Sequence, residues 1–220
     1  MSVVHHLDQA TIVRYASGDL DEAFSVIVAS HLAMCSTCRK AVRAAEELGG
    51  CLLDKQDDAP MSDDLFDRLM DGIVSDPTSP DVDVRPAARS VDGDVPLPLR
   101  RYVGPSLDGV RWKRAAPGIR RHRIDLGGRT GSSLYMLHIA PGMALPEHGH
   151  GGNEMTLILS GAYNDMFGRF GPGDIADLDE DVEHKPIVED GAACVCLVAT
   201  EAPTRFKDVV SRLLQPIVGI

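Results

Sequence analysis

The sequence of 220 residues contains only 5% aromatic residues, one tryptophan and five cysteines. An odd number of scattered cysteines does not indicate a disulfide framework. Its apolar runs fall far short of the roughly 20 residues that a membrane-spanning helix needs, so we expect no membrane association. The first residues, MSVVHHLDQ, lack the basic and apolar regions of a secretory signal, which predicts a cytoplasmic protein with reduced thiols.

Positive charge is also scarce, and it is distributed unevenly along the chain. The formal net charge is −11. Residues 1–78 contain 6 Lys and Arg against 14 Asp and Glu, or −8, whereas residues 98–220 contain 14 against 15, or −1. A region at −8 repels phosphate backbones, which argues against direct nucleic-acid binding. We expect its partner to be a basic protein surface, because opposite charge accelerates association.

A set of metal-binding residue types occurs early in the sequence. His31, Cys35 and Cys38 follow the pattern His-x3-Cys-x2-Cys, which places them on one helical face or at a helix end and the turn after it. Two thiols and an imidazole in this spacing favour a tetrahedral, structural Zn²⁺ site. The upstream candidates for a fourth ligand are His5 and His6. A redox switch is the second interpretation, because oxidation of the two thiols would eject the metal.

The same region predicts four short helices. Each begins after a capping residue: Asp8, Asp19 or Asp21, Ser36 or Thr37, and Ser62. The first is expected to end at Gly18 and the third at Gly49-Gly50. Helices this short form a small core, which a structural metal commonly supplements.

The fourth predicted helix has an apolar side formed by Leu65, Phe66, Leu69, Met70 and Ile73. This side either packs on the first three helices or lies in a groove of another protein. Under the second interpretation, Leu65, Phe66, Leu69 and Met70 are the candidate partner contacts.

Residues 79–97 are rich in Pro and Asp and are predicted to form an extended linker. The sequence after them favours β-structure, with short strands between Gly, Pro and Asp turns, which is typical of a sandwich or barrel of the jelly-roll type. The predicted strands are Trp112–Ala116, Ile119–Asp125, Ser132–Ile139, Glu154–Leu159 and Cys194–Thr200. The stretch from Phe206 to Leu214 is a short helix or an edge segment.

A second set of metal-binding residue types lies in this β region. His148 and His150 are two residues apart and share one face of a strand, and the Gly151-Gly152 turn lets Glu154 return toward them. His184 is the candidate fourth ligand. Three imidazoles and a carboxylate suit zinc, iron, manganese or nickel.

Cys194 and Cys196 also share a strand face. Small buried hydrophobic residues are the default interpretation for such cysteines. The alternative places them beside the metal as oxidisable, redox-active partners.

The pattern Gly142-x5-His148-x-His150-x3-Glu154-x6-Gly161 matches the first cupin motif at every position. The second motif keeps its histidine as His184 but has Val188 in place of the usual Asn. The chain has the His-x3-Cys-x2-Cys motif first and the cupin motif after it. In this order, the two motifs make nearly the whole chain resemble the ChrR-type zinc-binding anti-sigma factors. The implied fold is a zinc-binding four-helix domain, residues 1–78, then the linker, then a cupin domain, residues 98–220.

The resemblance also implies ligands, a partner and a function. It assigns one Zn²⁺ to His6, His31, Cys35 and Cys38, with His5 as a competitor for the first position. It assigns a second metal, typically zinc, to His148, His150, Glu154 and His184.

By the same resemblance, the helical domain binds an extracytoplasmic-function sigma factor, about one to one, and occludes the surfaces that would contact RNA polymerase. The cupin senses a stress such as singlet oxygen and triggers release, so the protein acts by binding and not as an enzyme. The alternative is a metal-dependent cupin enzyme, a dioxygenase or isomerase, with an N-terminal zinc adaptor module.

Overall fold

The computed structural model describes residues 3–75, 93–127, 131–202 and 205–206. Helices precede strands, as the sequence predicts. The helices are α1 (Gln9–Ala16), α2 (Glu22–Met34), α3 (Ser36–Leu53), α4 (Leu65–Ser75) and α5 (Arg100–Val103), with 3₁₀ turns at Leu97–Leu99 and Leu107–Gly109. No helix within the described ranges is long and apolar enough to cross a bilayer.

Side chains cap the first three helices. The Asp8 carboxylate accepts the Ala10 N–H at 2.6 Å, and the Asp21 carboxylate accepts the Phe24 N–H at 3.2 Å, so Asp21 and not Asp19 caps α2. Cys35 caps α3 in place of Ser36 or Thr37, because its Sγ accepts the Cys38 N–H at 3.4 Å.

The predicted end of the third helix at Gly49-Gly50 is wrong. Both glycines lie inside α3, which continues to Leu53. Glycine ends a helix when it adopts a left-handed conformation, as Gly18 does with φ of 76° after α1. In a helical conformation it costs only about 1 kcal/mol relative to alanine, which the long third helix tolerates.

Twelve short strands follow in the described chain. They are β1 (Lys113–Ala116), β2 (Ile119–Ile124), β3 (Ser133–Ile139), β4 (His148–Gly149), β5 (Glu154–Ser160), β6 (Tyr163–Asp165), β7 (Gly168–Phe170), β8 (Ile175–Leu178), β9 (Glu183–His184), β10 (Ile187–Val188), β11 (Cys194–Thr200) and β12 (Arg205–Phe206). A six-stranded antiparallel sheet has the order β1-β2-β3-β11-β5-β8, and two three-stranded sheets have the orders β10-β6-β7 and β12-β4-β9. The stretch predicted after Phe206 lies outside the described residues.

The six-stranded sheet is covered on both faces. All seven residues of β11 are buried, which explains why this strand reads as a continuous apolar run and not as an alternating one. Met136 and Leu197 belong to a core shared with the helices, whereas Leu137 and Cys196 belong to a second core inside the β domain.

Helix α2 contacts both α3 and the strands β11, β5 and β3 of this sheet. Its buried residues include Phe24 and Val28 on one side of the helix and Ala23 and Val26 on another. A helix that is apolar on most sides needs cover on most sides. The helical region and the β domain therefore share one hydrophobic core.

The predicted linker falls largely outside the described residues, but its end is described. Val95 is 1% exposed and Leu99 is 0% exposed, and both belong to the core that contains α2. The 3₁₀ turn Leu97–Leu99 packs against α2.

Helix α4 buries none of its residues against the described parts of the chain. Phe66 is 69% exposed, Leu69 59% and Met70 43%, while Leu65 is half-buried. Of the two interpretations of the apolar side, packing on α1–α3 is therefore not observed.

Candidate metal sites

The structure brings together His6, His31, Cys35 and Cys38, here called the N-terminal group. One ligand atom from each lies within 4.8 Å of all the others. Cys35 Sγ is 3.3 Å and Cys38 Sγ 3.6 Å from His6 Nδ1. Two ligands of one tetrahedral Zn²⁺ are separated by about 3.6 Å, so these spacings fit zinc.

Local structure explains how the N-terminal group forms. His31 lies in the last turn of α2, and Cys35 is both the C-cap of α2 and the N-cap of α3. Cys38 follows in the first turn of α3. The segment before α1 supplies His6, which is exposed, while the other three residues are buried.

The hydrogen bonds of His31 fix its tautomer. Its Nδ1–H donates to the carbonyl oxygen of Gly173 at 2.9 Å, so the lone pair lies on Nε2. This Nε2 is buried and has no hydrogen-bond partner among the described residues. Burial lowers the pKa of His31 to about 4, which keeps the ring neutral. A cation bound beside the two thiols would supply the partner that this buried lone pair lacks.

His5 is placed elsewhere. Its ring stacks on Phe170 with centroids 3.9 Å apart, and its Nε2 lies 3.1 Å from the carbonyl oxygen of Arg169. The choice that the sequence left between the two adjacent histidines therefore falls on His6.

A second set, here called the β-domain group, consists of His148, His150, Glu154 and His184. All four are buried, and one ligand atom from each lies within 4.8 Å of the others. Nε2 of His148 is 3.1 Å from Nε2 of His184, and Nδ1 of His150 is 3.3 Å from Glu154 Oε2. The sequence predicted this set of four residues, and its role as a metal site stays a prediction.

The hydrogen bonds of two of these histidines point to a cation. His148 Nδ1–H donates to the Pro146 carbonyl at 2.8 Å, and His184 Nδ1–H donates to the Asp165 carboxylate at 3.1 Å. Burial lowers the pKa of both rings, that of His148 to about 4, so both are neutral. Two Nε2 lone pairs then face each other across 3.1 Å, an arrangement that is repulsive without a cation between them.

The sequence does not mark the groups that orient these ligands. Asp165 on β6, Pro146 before β4 and Gly173 between β7 and β8 each receive a histidine N–H. Asp165 and Gly173 are distant in sequence from the histidines that they orient, so only the fold brings them near. Pro146 is local, but its backbone carbonyl carries no signal in the sequence.

Beside the β-domain group lies a cavity of about 70 Å³. His148, Glu154 and His184 line it together with mostly apolar side chains. Cys196 also lines it, and Cys194 lies in the same core. Burial raises the pKa of Cys194 to about 12 and that of Cys196 well above its usual value, so both are protonated thiols. Their redox role stays a prediction.

The fold and the two groups define a class of protein in which a helical region with a candidate zinc site packs on a cupin domain with a second candidate metal site. Comparison with known proteins identifies the family. Residues 103–203 match the family model described as ChrR cupin-like domain. The chain is 40% identical over 221 aligned positions to the anti-sigma-E factor ChrR of Cereibacter sphaeroides, with 100% of both chains covered.

A solved structure agrees. The crystal structure of Rhodobacter sphaeroides SigE in complex with the anti-sigma ChrR matches with a TM-score of 0.75 and 37% identity, covering 90% of this chain and 99% of that one. The chain belongs to the ChrR family of anti-sigma factors. The resemblance and the α-then-cupin fold expected from the sequence are thereby confirmed.

Proposed function

We propose that this protein is a cytoplasmic anti-sigma factor that binds one extracytoplasmic-function sigma factor and withholds it from RNA polymerase. The observation that carries the proposal is the similarity over 90% of the chain to a protein crystallised in complex with a sigma factor. The anti-sigma-E factor ChrR of Cereibacter sphaeroides, which is 40% identical over its whole length, supports the same conclusion.

The exposed side of α4 supports the proposal. Phe66, Leu69 and Ile73 are each more than half exposed, which is unusual for apolar residues on one side of a helix. Acidic residues such as Asp67 and Asp71 flank them in a region of net charge −8. An apolar stripe with acidic neighbours fits a basic protein surface with an apolar groove.

The N-terminal group would hold a structural Zn²⁺ in this proposal. Its four protein ligands fill a tetrahedral coordination sphere, which is typical of structural sites. Bound Zn²⁺ would coordinate the two neighbouring sulfur atoms and the His31 lone pair. Through His6 it would also fix the N-terminal segment to the α2–α3 junction. The metal supplies folding energy there, because the ligands are not assembled in the unfolded chain.

The β-domain group would hold a second divalent metal, zinc or another that accepts three imidazoles and a carboxylate. The opposed Nε2 atoms of His148 and His184 support this assignment. The sensing of oxidative stress such as singlet oxygen is proposed for this domain from the family resemblance.

A contact path between the domains supports a coupled response. Asp174 Oδ1 accepts the backbone N–H groups of Val4 at 2.6 Å and His5 at 2.9 Å, and Gly173 orients His31. A change at the β-domain group that shifts the β7–β8 loop would therefore reach the N-terminal group. We propose two packing states of the domains, of which stress favours the one that releases the sigma factor.

The test is reconstitution with a sigma factor from the same cells. The purified zinc-loaded protein is mixed with each extracytoplasmic-function sigma factor in turn, and complexes are measured by size-exclusion chromatography with light scattering. One sigma factor should form a 1:1 complex and lose activity in run-off transcription. Absence of a complex with every one of these sigma factors, with both metal groups loaded, would contradict the proposal.

The alternative of a cupin enzyme has one observation in its favour, the cavity that adjoins the β-domain group. An iron- or manganese-loaded protein that turns over a small oxygenated substrate would favour that alternative. Equal binding of the sigma factor with and without the substrate would then separate the two activities.

A further inference from the structure

One buried hydroxyl in the described chain lacks a partner. Four buried side-chain atoms of the described residues make no hydrogen bond, and three of them are ring nitrogens of His31 and His150 in the two metal groups. The fourth is the hydroxyl oxygen of Tyr163, a residue that is only 4% exposed. A buried polar group left unpaired costs about 1–3 kcal/mol, so this hydroxyl needs an explanation of its own.

The hydroxyl belongs to a side chain that lines the cavity beside the β-domain group. His148, Glu154 and His184 line the same cavity, so it reaches three of the four candidate ligands. The other walls are mostly apolar and include Ile119, Leu137, Ile139, Leu145 and Val198.

The cavity is small. Its volume is about 70 Å³. A single water requires about 10–15 Å³, so the space suits a small molecule of a few non-hydrogen atoms and not a long chain.

We propose that this cavity binds a short-chain carboxylate whose oxygens reach the metal of the β-domain group and accept a hydrogen bond from Tyr163. The proposal rests on the metal of the proposed function. Imidazole ligands carry no charge on a metal, so three of them and one carboxylate leave a divalent cation with a net charge of +1. An anionic oxygen would then bind as a fifth ligand, by expansion from four- to five-coordination. The apolar walls suit a short hydrocarbon chain and disfavour a sugar or an amino acid, whose polar groups would be buried unpaired.

The Tyr163 ring is held firmly in place. It stacks on Phe170 with centroids 4.9 Å apart and planes at 17°, and Phe170 in turn stacks on His5. The substitution Tyr163→Phe keeps this stack and removes only the hydroxyl. It therefore tests recognition without removing the packing of the ring.

The experiment uses the full-length, zinc-loaded protein and calorimetric titration with acetate, butyrate and decanoate. Butyrate, with six non-hydrogen atoms, should bind best, and decanoate, with twelve, should not bind. Tyr163→Phe should weaken butyrate binding about tenfold or more, the loss of one hydrogen bond to a charged acceptor. Tyr102→Phe, which removes a hydroxyl bonded to Glu22 away from the cavity, is the matched control and should bind as the wild type does.

A spectroscopic readout tests contact with the metal. In the Co²⁺-loaded protein, butyrate should change the visible bands of the histidine–carboxylate site and leave the thiolate bands of the N-terminal group unchanged. Equal butyrate binding by wild type and Tyr163→Phe would overturn the proposal, as would no binding by wild type.

Metal content and sigma-factor binding are measured on the same samples. Failure of butyrate binding with intact metal and sigma-factor binding overturns this inference alone. An empty β-domain group overturns both the inference and the metal assignment on which it rests.

Discussion

His31 Nδ1 lies 2.9 Å from the carbonyl oxygen of Gly173, a hydrogen bond between the helical region and the β domain. The bond sets the tautomer of a candidate zinc ligand from a loop of the other domain. The N-terminal group is therefore not an independent module, since its geometry depends on where the β7–β8 loop lies. A movement of the β7–β8 loop would therefore change the position of the His31 ring in the N-terminal group.

The first prediction concerns Gly173, which has φ of +93°. A Cβ at this position would lie 2.8 Å from Val3 Cγ2 and 3.6 Å from Met34 Cβ. Gly173→Ala should lower the melting temperature, displace the loop from His31 and reduce zinc affinity. The measurement is thermal unfolding together with competitive zinc titration.

Gly191→Ala is the matched control for this substitution. Gly191 has nearly the same φ, +95°, but no atom of the described chain would lie within 4 Å of an added methyl group. Backbone strain should lower the free energy of unfolding of Gly191→Ala by about 1 kcal/mol, and its zinc affinity should be unchanged. Identical behaviour of the two variants would show that the contact at Gly173 is unimportant.

The second prediction concerns Asp174, a buried carboxylate. It accepts three backbone N–H groups, those of Val4, His5 and Gly171, at 2.6, 2.9 and 2.8 Å. Asp174→Asn should destabilise the protein by about 1.5–3 kcal/mol, because the amide turns a donor toward at least one of these donors. Thermal unfolding measures this loss, and the exposed Asp190→Asn is the control. An unchanged melting temperature would contradict the role of Asp174 in holding the N-terminal segment.

The third prediction concerns zinc. Cys38→Ser should remove the metal of the N-terminal group, lowering zinc content by one ion per chain and abolishing sigma-factor binding. Cys51→Ser is the control, because Cys51 is an exposed, free cysteine outside the group. Elemental analysis and the 1:1 complex assay report both effects. Retention of zinc and of sigma-factor binding by Cys38→Ser would rule out this site.

The fourth prediction concerns pH and Asp177. Burial raises the pKa of this carboxyl, and the Asp8 charge adds to the effect, although the Asp8 N–H donates to it at 3.1 Å. A raised pKa in the folded state means that the folded protein binds the proton more tightly than the unfolded chain. The charged form therefore reduces the free energy of unfolding above that pKa.

Asp177→Asn should accordingly raise the melting temperature at pH 7 by roughly 2–4 °C for each kcal/mol recovered. The gain should shrink as the pH falls through the raised pKa, since the wild-type carboxyl is then protonated as well. Thermal unfolding at a series of pH values measures it. A gain that grows toward acid pH would contradict the assigned cause.

The sequence predicted that the residues of both groups lie together, because three of the four in each follow a local spacing; that the groups bind metal stays a prediction. His31, Cys35 and Cys38 lie within about two helical turns of chain, and His148, His150 and Glu154 surround one glycine turn. The strands β1, β2, β3, β5 and β11 were also predicted within one residue at each end, because Gly, Pro and Asp turns bound them.

The packing of the two regions was not predictable in the same way. The bonds of Asp174 to Val4 and His5 join residues 170 and 169 positions apart. Nor does the sequence mark Tyr163, whose unpaired hydroxyl becomes visible only when the cavity around it forms. Such contacts have no local spacing, so only the folded chain reveals them.

Affinity capture from native cells tests the central claim most directly. Tagged full-length protein and its Cys38→Ser and Cys51→Ser variants are isolated, and the bound proteins are identified and quantified by mass spectrometry. We predict a stoichiometric extracytoplasmic-function sigma factor with the wild type and Cys51→Ser but not with Cys38→Ser. Recovery of no sigma factor by folded, metal-loaded wild-type protein would contradict the account.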